Sequence, residues 1–209
     1  MSTKVSSKFA SLLSQDKLAK VVDVSGRLGI NPNWLLAVMY FESAKTFSPS
    51  ITNNIGSVGL IQFTRDKAGV QYKTIGGKRY MLADLAKMSF IEQMDVVEAY
   101  YKEAKGKKKI SSFIDTYLVT FFPAALGKAD DFVFATSGLS ASLIAKQNPA
   151  FDRNKDGTIH KAEVTAYFRK MYNDMGFDFD NDINIGAAAG VSIIAIIVVF
   201  FYSAFTCLI

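Results

Sequence analysis

The sequence is poor in the residues that make covalent cross-links and soft-metal sites. Its 209 residues include one cysteine, Cys207, and one histidine, His160. A single cysteine cannot close an intrachain disulfide, and it cannot complete a cysteine-based metal site. Both kinds of site are therefore excluded within the chain.

The N-terminus lacks the long apolar run of a secretory signal peptide. Residues 1–15 contain scattered charges, and their apolar residues do not form a continuous run of that length. Secretion by a cleaved signal is therefore not expected. The C-terminus is different, since residues 183–209 contain no charged side chain and are almost wholly apolar from residue 185 onward. About 20 apolar residues cross the hydrocarbon core of a bilayer. This stretch predicts a single transmembrane helix over residues 185–209, with a buried globular helix as the alternative.

The charge balance favours an acidic partner. Hydrophobic residues make up 50% of the chain, charged residues make up 21%, and the formal net charge is +5. A positive field attracts anionic polymers and anionic lipid, although a basic surface can also lack any partner. The basic run at residues 105–109 has no aromatic platform on which bases could stack, so we expect no nucleic-acid partner.

Apolar spacing indicates helices at most points along the chain. Helical patterns cover residues 9–28, 31–42, 82–104, 110–122 and 161–175. Asn31 can cap the second helix, and Pro32 is tolerated in its first turn. Strand-like alternation is scarce apart from a predicted hairpin near residues 70–80, around Gly76 and Gly77. The expected fold class is mainly α.

Glu42 ends the apolar run of the second predicted helix. A carboxyl group in such surroundings loses hydration, which raises its pKa and keeps it protonated closer to neutral pH. A protonated carboxyl is what glycosidic bond cleavage requires, because the leaving oxygen must receive a proton. A solvated or salt-bridged glutamate is the ordinary alternative at a helix end.

Two neighbouring segments favour the catalytic interpretation. Glu42 and Ser43 are followed by residues 56–64, which read GSVGLIQFT. This pair of motifs resembles the lytic-transglycosylase and goose-type-lysozyme superfamily. The resemblance implies a lysozyme-like helical domain in which Glu42 is the acid/base and Ser43 helps to place it or the substrate. It also implies that Gly59 and Gln62 bring backbone and an amide to the sugar.

The resemblance covers residues 30–165 and continues through Gln93 and residues 115–125, where the chain is similar to phage-encoded members. It departs in the third motif, where Thr116-Tyr117-Leu118 stands in place of Ala-Tyr-Asn. Tyr117 retains a phenolic hydroxyl that can donate a hydrogen bond to the glutamate, with a half-buried helical residue as the alternative. No residue of this chain is assigned the role of the asparagine in the family's motif.

The reaction type depends on a second carboxylate. Two-carboxylate hydrolysis needs a nucleophile or water activator opposite the acid. The sequence places no second carboxylate clearly opposite Glu42, although Asp66 and Asp84 are available. The family resemblance implies a mechanism with one carboxylate. There the muramic acid 6-hydroxyl attacks its own C1, which breaks the MurNAc–GlcNAc β-1,4 bond and leaves a 1,6-anhydro end. We favour this lyase chemistry over lysozyme-type hydrolysis, and neither needs a catalytic cofactor.

Residues 152–163 match the EF-hand calcium loop. The pattern places side-chain oxygens at the first, third and fifth positions, a glycine at the sixth, a carbonyl at the seventh and a two-oxygen carboxylate at the twelfth. The corresponding ligands are Asp152, Asn154, Asp156, Thr158 and Glu163. His160 at the ninth position is a poor calcium ligand, so a water is expected there. The loop predicts a structural Ca²⁺ ion, and an Asx-rich turn without the ion is the alternative.

These features give a predicted order of segments. An N-terminal helical segment covers residues 1–30, the lysozyme-like domain 31–175, an acidic neck 176–184 and the membrane helix 185–209. The layout resembles the virion-associated transglycosylases of membrane-containing bacteriophages, which implies an internal virion membrane and peptidoglycan as partner. Gly186 and Gly190 have the spacing of helix-packing residues, so a homo-oligomer or contacts with capsid or vertex proteins are further expectations. A structural virion protein without activity and a calcium-dependent glycan-binding module are the rival functions.

Overall fold

A computed structural model describes residues 4–184, and this part of the chain is mainly helical, as predicted. The helices are α1 Ser7–Ala10, α2 Gln15–Leu28, α3 Pro32–Glu42, α4 Leu82–Leu85, α5 Phe90–Lys105, α6 Phe113–Phe121, α7 Ala141–Gln147 and α8 Lys161–Asp174. A 3-10 turn covers Pro123–Ala125, and a π-helical turn covers Phe179–Ile183. The strands are β1 Tyr72–Ile75 and β2 Lys78–Met81.

Helix α3 lies at the centre of the core and presents Glu42 at its carboxyl end. Asn31 caps it by accepting a hydrogen bond from the Asn33 backbone N–H at 2.9 Å, and Pro32 occupies its first turn. Its first eight residues are buried, so apolar contacts surround the helix on all sides. Helices α2 and α6 pack against it, and the Tyr172 hydroxyl of α8 donates to the Ala37 carbonyl at 2.6 Å.

The predicted hairpin is confirmed. Strands β1 and β2 pair antiparallel with Ile75 opposite Lys78 and Tyr72 opposite Met81. Gly76 and Gly77 form the two-residue turn, with φ values of 58° and 76°. Left-handed backbone at both positions is typical of the tight turn that suits the strand twist, which explains the glycine pair.

Two predicted helices are interrupted in the structure. The pattern over residues 82–104 divides into α4 and α5, because Ser89 starts a new helix with a capping box. The Ser89 hydroxyl accepts from the Glu92 N–H at 3.3 Å, and the Glu92 carboxylate accepts from the Ser89 N–H at 2.8 Å. The pattern over residues 9–28 likewise divides into α1 and α2. Helix α7 was not predicted.

The stretch predicted as an acidic neck packs onto the helical body. Phe177, Phe179 and Ile183 are buried. Asp182 accepts a hydrogen bond from the Ser6 hydroxyl at 2.7 Å, and the ring of Phe177 lies 4.8 Å from that of Phe9. The N-terminal segment and the acidic stretch therefore share one core with the predicted catalytic domain, because apolar side chains alternate with the acidic ones.

The predicted transmembrane helix, residues 185–209, lies outside the described residues. Within residues 4–184, no helix combines the length and apolar character needed to span a bilayer.

Candidate functional site

Glu42 is the last residue of α3, and its side chain is half-buried. Its carboxyl forms no hydrogen bond or ion pair with any of residues 4–184. Burial without a compensating partner disfavours the charged form and raises the pKa of Glu42 from 4.5 to about 8. At neutral pH this carboxyl is therefore mainly protonated and carries a proton that it can donate.

Three tyrosine side chains interact electrostatically with the Glu42 carboxyl. Burial raises the pKa of Tyr100, Tyr101 and Tyr117 above the ordinary value of 10, and the negative charge of Glu42 raises each of them further. All three hydroxyls stay protonated over the physiological range, and that of the buried Tyr101 already donates to the Thr116 carbonyl at 3.1 Å.

Tyr117 lies in the buried face of α6, where the resemblance predicted it beside the glutamate. Its ring centroid is 4.5 Å from that of Phe168 and 5.8 Å from that of Phe41, the residue before Glu42. The predicted hydrogen bond to Glu42 is not formed, and the Tyr117 hydroxyl has no hydrogen-bond partner within residues 4–184. Tyr117 is 3% exposed and does not line the cavity that contains Gln62.

Ser43 is fully buried and holds the turn that follows α3. Its hydroxyl oxygen accepts a hydrogen bond from the Phe47 N–H at 2.8 Å. The turn contains non-glycine residues with left-handed backbone, namely Ala44, Lys45 and Phe47. Such conformations persist only where neighbouring contacts impose them. This geometry fits the implied role of positioning Glu42, and it leaves no Ser43 surface for a sugar.

Gly59 makes room for Gln93 rather than for a ligand. Its φ is +85°, and a Cβ atom built there would lie 2.3 Å from the Oε1 atom of Gln93. The Gly59 N–H already donates to the Ile51 carbonyl at 2.8 Å. The absence of a side chain at Gly59 therefore serves close packing inside the protein, and this N–H is not free to bind a sugar.

Gln93 has a structural role that the sequence did not predict, although the resemblance extended through it. The side chain is completely buried, and its Oε1 atom accepts from the Leu60 N–H at 2.7 Å. Its Nε2 atom donates to the carbonyls of Pro49 and Leu85 at 2.9 and 2.8 Å. One amide thus fixes the 56–64 loop against two other segments. The sequence signal for this role was an amide on the buried face of an amphipathic helix. Buried polar groups need hydrogen-bond partners, so such an amide indicates bonds to other segments.

Gln62 has left-handed backbone and lines a cavity of about 220 Å³. Its Nε2 atom donates to the Gly59 carbonyl at 3.1 Å. Tyr100 forms another part of the wall, as does Thr120, which follows Tyr117 by almost one turn of α6. The remaining lining residues are Ile61, Phe63, Thr64, Arg65 and Lys73. Glu42 is not among the residues that line this cavity, and none of the lining side chains is a carboxylate. The link between the two is Tyr100, a lining residue whose pKa the charge of Glu42 raises.

The two carboxylates considered as second catalytic groups are engaged elsewhere. Asp66 accepts from the Thr74 N–H at 2.9 Å and pairs with Lys73 at 3.2 Å, and these contacts lower its pKa. Asp84 is exposed and lies 3.7 Å from Lys87. Neither residue lines the cavity beside Gln62.

The 152–163 loop has the internal hydrogen bonds of a closed turn. The Gly157 N–H donates to Asp152 Oδ2 at 3.1 Å, and Gly157 has a φ of +82°. Glu163 folds back over the loop, where its carboxylate accepts from the N–H groups of Arg153 and His160 at 3.1 and 2.9 Å. The buried Asp152 Oδ1 atom has no hydrogen-bond partner.

The predicted calcium ligands belong to several chemical classes. Among residues 4–184, no three His, Cys, Asp or Glu side chains lie close enough to hold a metal ion by themselves. Asn154 and the Thr158 carbonyl belong to other ligand classes, and Glu163 is turned toward backbone amides. The orphaned oxygen of Asp152 and the all-oxygen donor set fit a hard cation such as Ca²⁺.

No protein-family model matches this chain, and comparisons with curated proteins and with solved structures give no match. The functional assignment therefore depends on the residues and geometry described above.

Gly59→Ala should destabilise the protein by roughly 2–5 kcal/mol, the sum of left-handed backbone strain and a clash with a fixed side chain. Gly77→Ala is the matched control, because its φ is +76° and its position has open space around it. It should cost about 1–2 kcal/mol from strain alone. Urea unfolding of the full-length protein in detergent measures both. Equal losses would show that Gln93 moves aside freely and does not fix the loop.

Proposed function

We propose that this protein cleaves the MurNAc–GlcNAc β-1,4 bond of peptidoglycan, with Glu42 as the general acid and then the general base. The observation that carries the proposal is the unpaired Glu42 carboxyl, whose pKa burial raises to about 8. A protonated acid is suited to protonating a glycosidic oxygen, and the charge of Glu42 acts on Tyr100, which lines the same cavity as Gln62.

The reaction needs one carboxylate if the substrate supplies the nucleophile. Glu42 gives its proton to the leaving oxygen as the bond between that oxygen and C1 breaks. The resulting carboxylate accepts the proton of the muramic acid 6-hydroxyl as the hydroxyl oxygen bonds to C1. The product has a 1,6-anhydro ring, and Glu42 is protonated again for the next cycle. No cofactor takes part in these steps.

The placement of the other carboxylates favours this lyase chemistry over lysozyme-type hydrolysis. Asp66 is held by Lys73 and the Thr74 N–H, and Asp84 is exposed beside Lys87. A hydrolase would need one of them to activate water or to attack C1. Mass spectrometry of the released fragments distinguishes the two reactions, because an anhydro end is lighter than a reducing end by one water.

Glu42→Gln should lower murein cleavage by about 10²- to 10⁴-fold, since glutamine has nearly the same shape and no proton to donate. Turbidity loss of purified murein measures the rate, and circular dichroism checks the fold of the full-length protein in detergent. Asp66→Asn and Asp84→Asn are the controls, and each should retain most of the parent activity. A folded Glu42→Gln protein that clears murein at the parent rate would remove the basis of the proposal.

We also propose that the 152–163 loop binds a structural Ca²⁺ ion. Asp152, Asn154, Asp156 and Glu163 would supply side-chain oxygens, and Thr158 would supply its carbonyl. The ion would tie α8 to the segment before the loop. Phe151 immediately precedes the loop and packs 6.1 Å from the Tyr117 ring, so the ion would stabilise one wall of the site.

Calcium at 100 times its Kd should stabilise the protein by about 2.7 kcal/mol, which raises the Tm by roughly 5–10 °C for a chain of this size. Glu163→Gln should remove most of that rise because the two-oxygen ligand is lost. Asp131→Asn is the matched control, since it removes a negative charge beside His160 without removing a ligand. A parent melting curve that is the same with calcium and with chelator would refute the site.

The proposed location is a lipid membrane, through residues 185–209, with the internal membrane of a phage virion as the setting. The support is the uncharged apolar sequence of that stretch together with the resemblance to virion-associated transglycosylases. If the full-length protein stays soluble in buffer without detergent, the membrane anchor is excluded.

A further inference from the structure

Arg65 is a cation of the cavity wall that no carboxylate of the described protein neutralises. It lies three residues after Gln62, and both side chains line the same cavity of about 220 Å³. Its guanidinium donates one hydrogen bond, to the Ile55 carbonyl. No ion pair joins Arg65 to an acidic residue within residues 4–184. Because a guanidinium has five N–H donors, most of its hydrogen-bonding capacity remains available.

Lys73, the other cation of this cavity, is already paired. Its ammonium lies 3.2 Å from the Asp66 carboxylate, and that carboxylate is held in place by the Thr74 N–H. An incoming anion would compete with Asp66 for Lys73, but it would meet no such competitor at Arg65. The cavity therefore has one positive group ready for an anionic ligand.

We propose that Arg65 binds a carboxylate carried by the muramic acid residue of the glycan, and so selects for muramic acid in this cavity. The inference rests on the proposed murein-cleaving function and identifies the substituent that the site would recognise. Arginine binds carboxylates through two parallel N–H···O bonds, which fixes direction as well as charge. With Gln62 on the sugar and Arg65 on its acidic substituent, the cavity would set which sugar lies beside Glu42.

Muramic acid offers a carboxylate from two sources. In intact murein the lactyl group is joined to a peptide, and the peptide carries the free carboxylates. After the peptide is removed by an amidase, the lactyl carboxylate itself is free. Methylamidation of that lactyl group gives a neutral glycan of the same backbone. These three preparations separate peptide recognition, lactyl recognition and recognition of the sugar alone.

The experiment measures binding and cleavage with soluble fragments of the three glycans and the full-length protein in detergent. Binding by calorimetry is measured in a Glu42→Gln background, so it does not depend on turnover. Arg65→Gln should weaken binding of the anionic fragments by about 10- to 100-fold, the range for hydrogen bonds to charged groups. It should leave binding of the neutral glycan unchanged. Arg65→Lys should recover part of the loss, because it restores the charge without the two-bond geometry.

Arg79→Gln is the matched control, since Arg79 lies on β2, stacks on Tyr72 and does not line the cavity. It should bind all three fragments as the parent does. A loss confined to the peptide-bearing fragment or to the free lactyl form identifies the carboxylate and supports the proposal. An equal loss on the neutral glycan, or no loss on either anionic fragment, would overturn it. A parent protein that binds anionic fragments through Arg65 but cleaves none would instead refute the proposed catalytic function.

Discussion

The structure depends on keeping one carboxyl group in apolar surroundings at the end of a buried helix. Helix α3 is buried over its first eight residues, and the half-buried carboxyl at its end has no cationic partner within residues 4–184. The rings of Phe41, Tyr117 and Phe168 pack edge to face beside it, with centroids 4.5–5.8 Å apart. Ionisation is costly in such surroundings, and the same cost makes Glu42 a usable acid at neutral pH.

Distant segments hold this arrangement together. The Gln93 amide joins the 56–64 loop to Pro49 and Leu85, and Gly59 has no side chain to obstruct it. On the other side, the 152–163 loop meets α6 at both of its ends. Phe151 packs against Tyr117, and the buried Lys161 ammonium lies 3.3 Å from Asp115. Any ion that orders this loop would therefore also order the helix that carries Tyr117.

The features that local chemistry determines were predictable from the sequence. Asn31 and Pro32 marked the start of α3, the glycine pair marked the hairpin, and the apolar run marked Glu42 as a desolvated carboxyl. The missed features depend on partners far apart in the chain. Gln93 bonds across 33 and 44 residues, and Ser6 meets Asp182 across 176. Spacing within one segment contains no information about such partners, which is also why the close approach of Gln93 to Gly59 was not predicted.

The most direct test of the proposed role of Glu42 is to measure how murein cleavage depends on pH. If the protonated carboxyl starts the reaction, kcat/KM should stay level from about pH 6 to 7 and then fall as pH rises through about 8, by about tenfold for each further pH unit. The fall follows because the raised pKa leaves the acid protonated below that value and ionised above it. A decline that begins near pH 5 would show an ordinary, solvated carboxyl. A rate that stays constant to pH 9.5 would show that no acid with this pKa takes part.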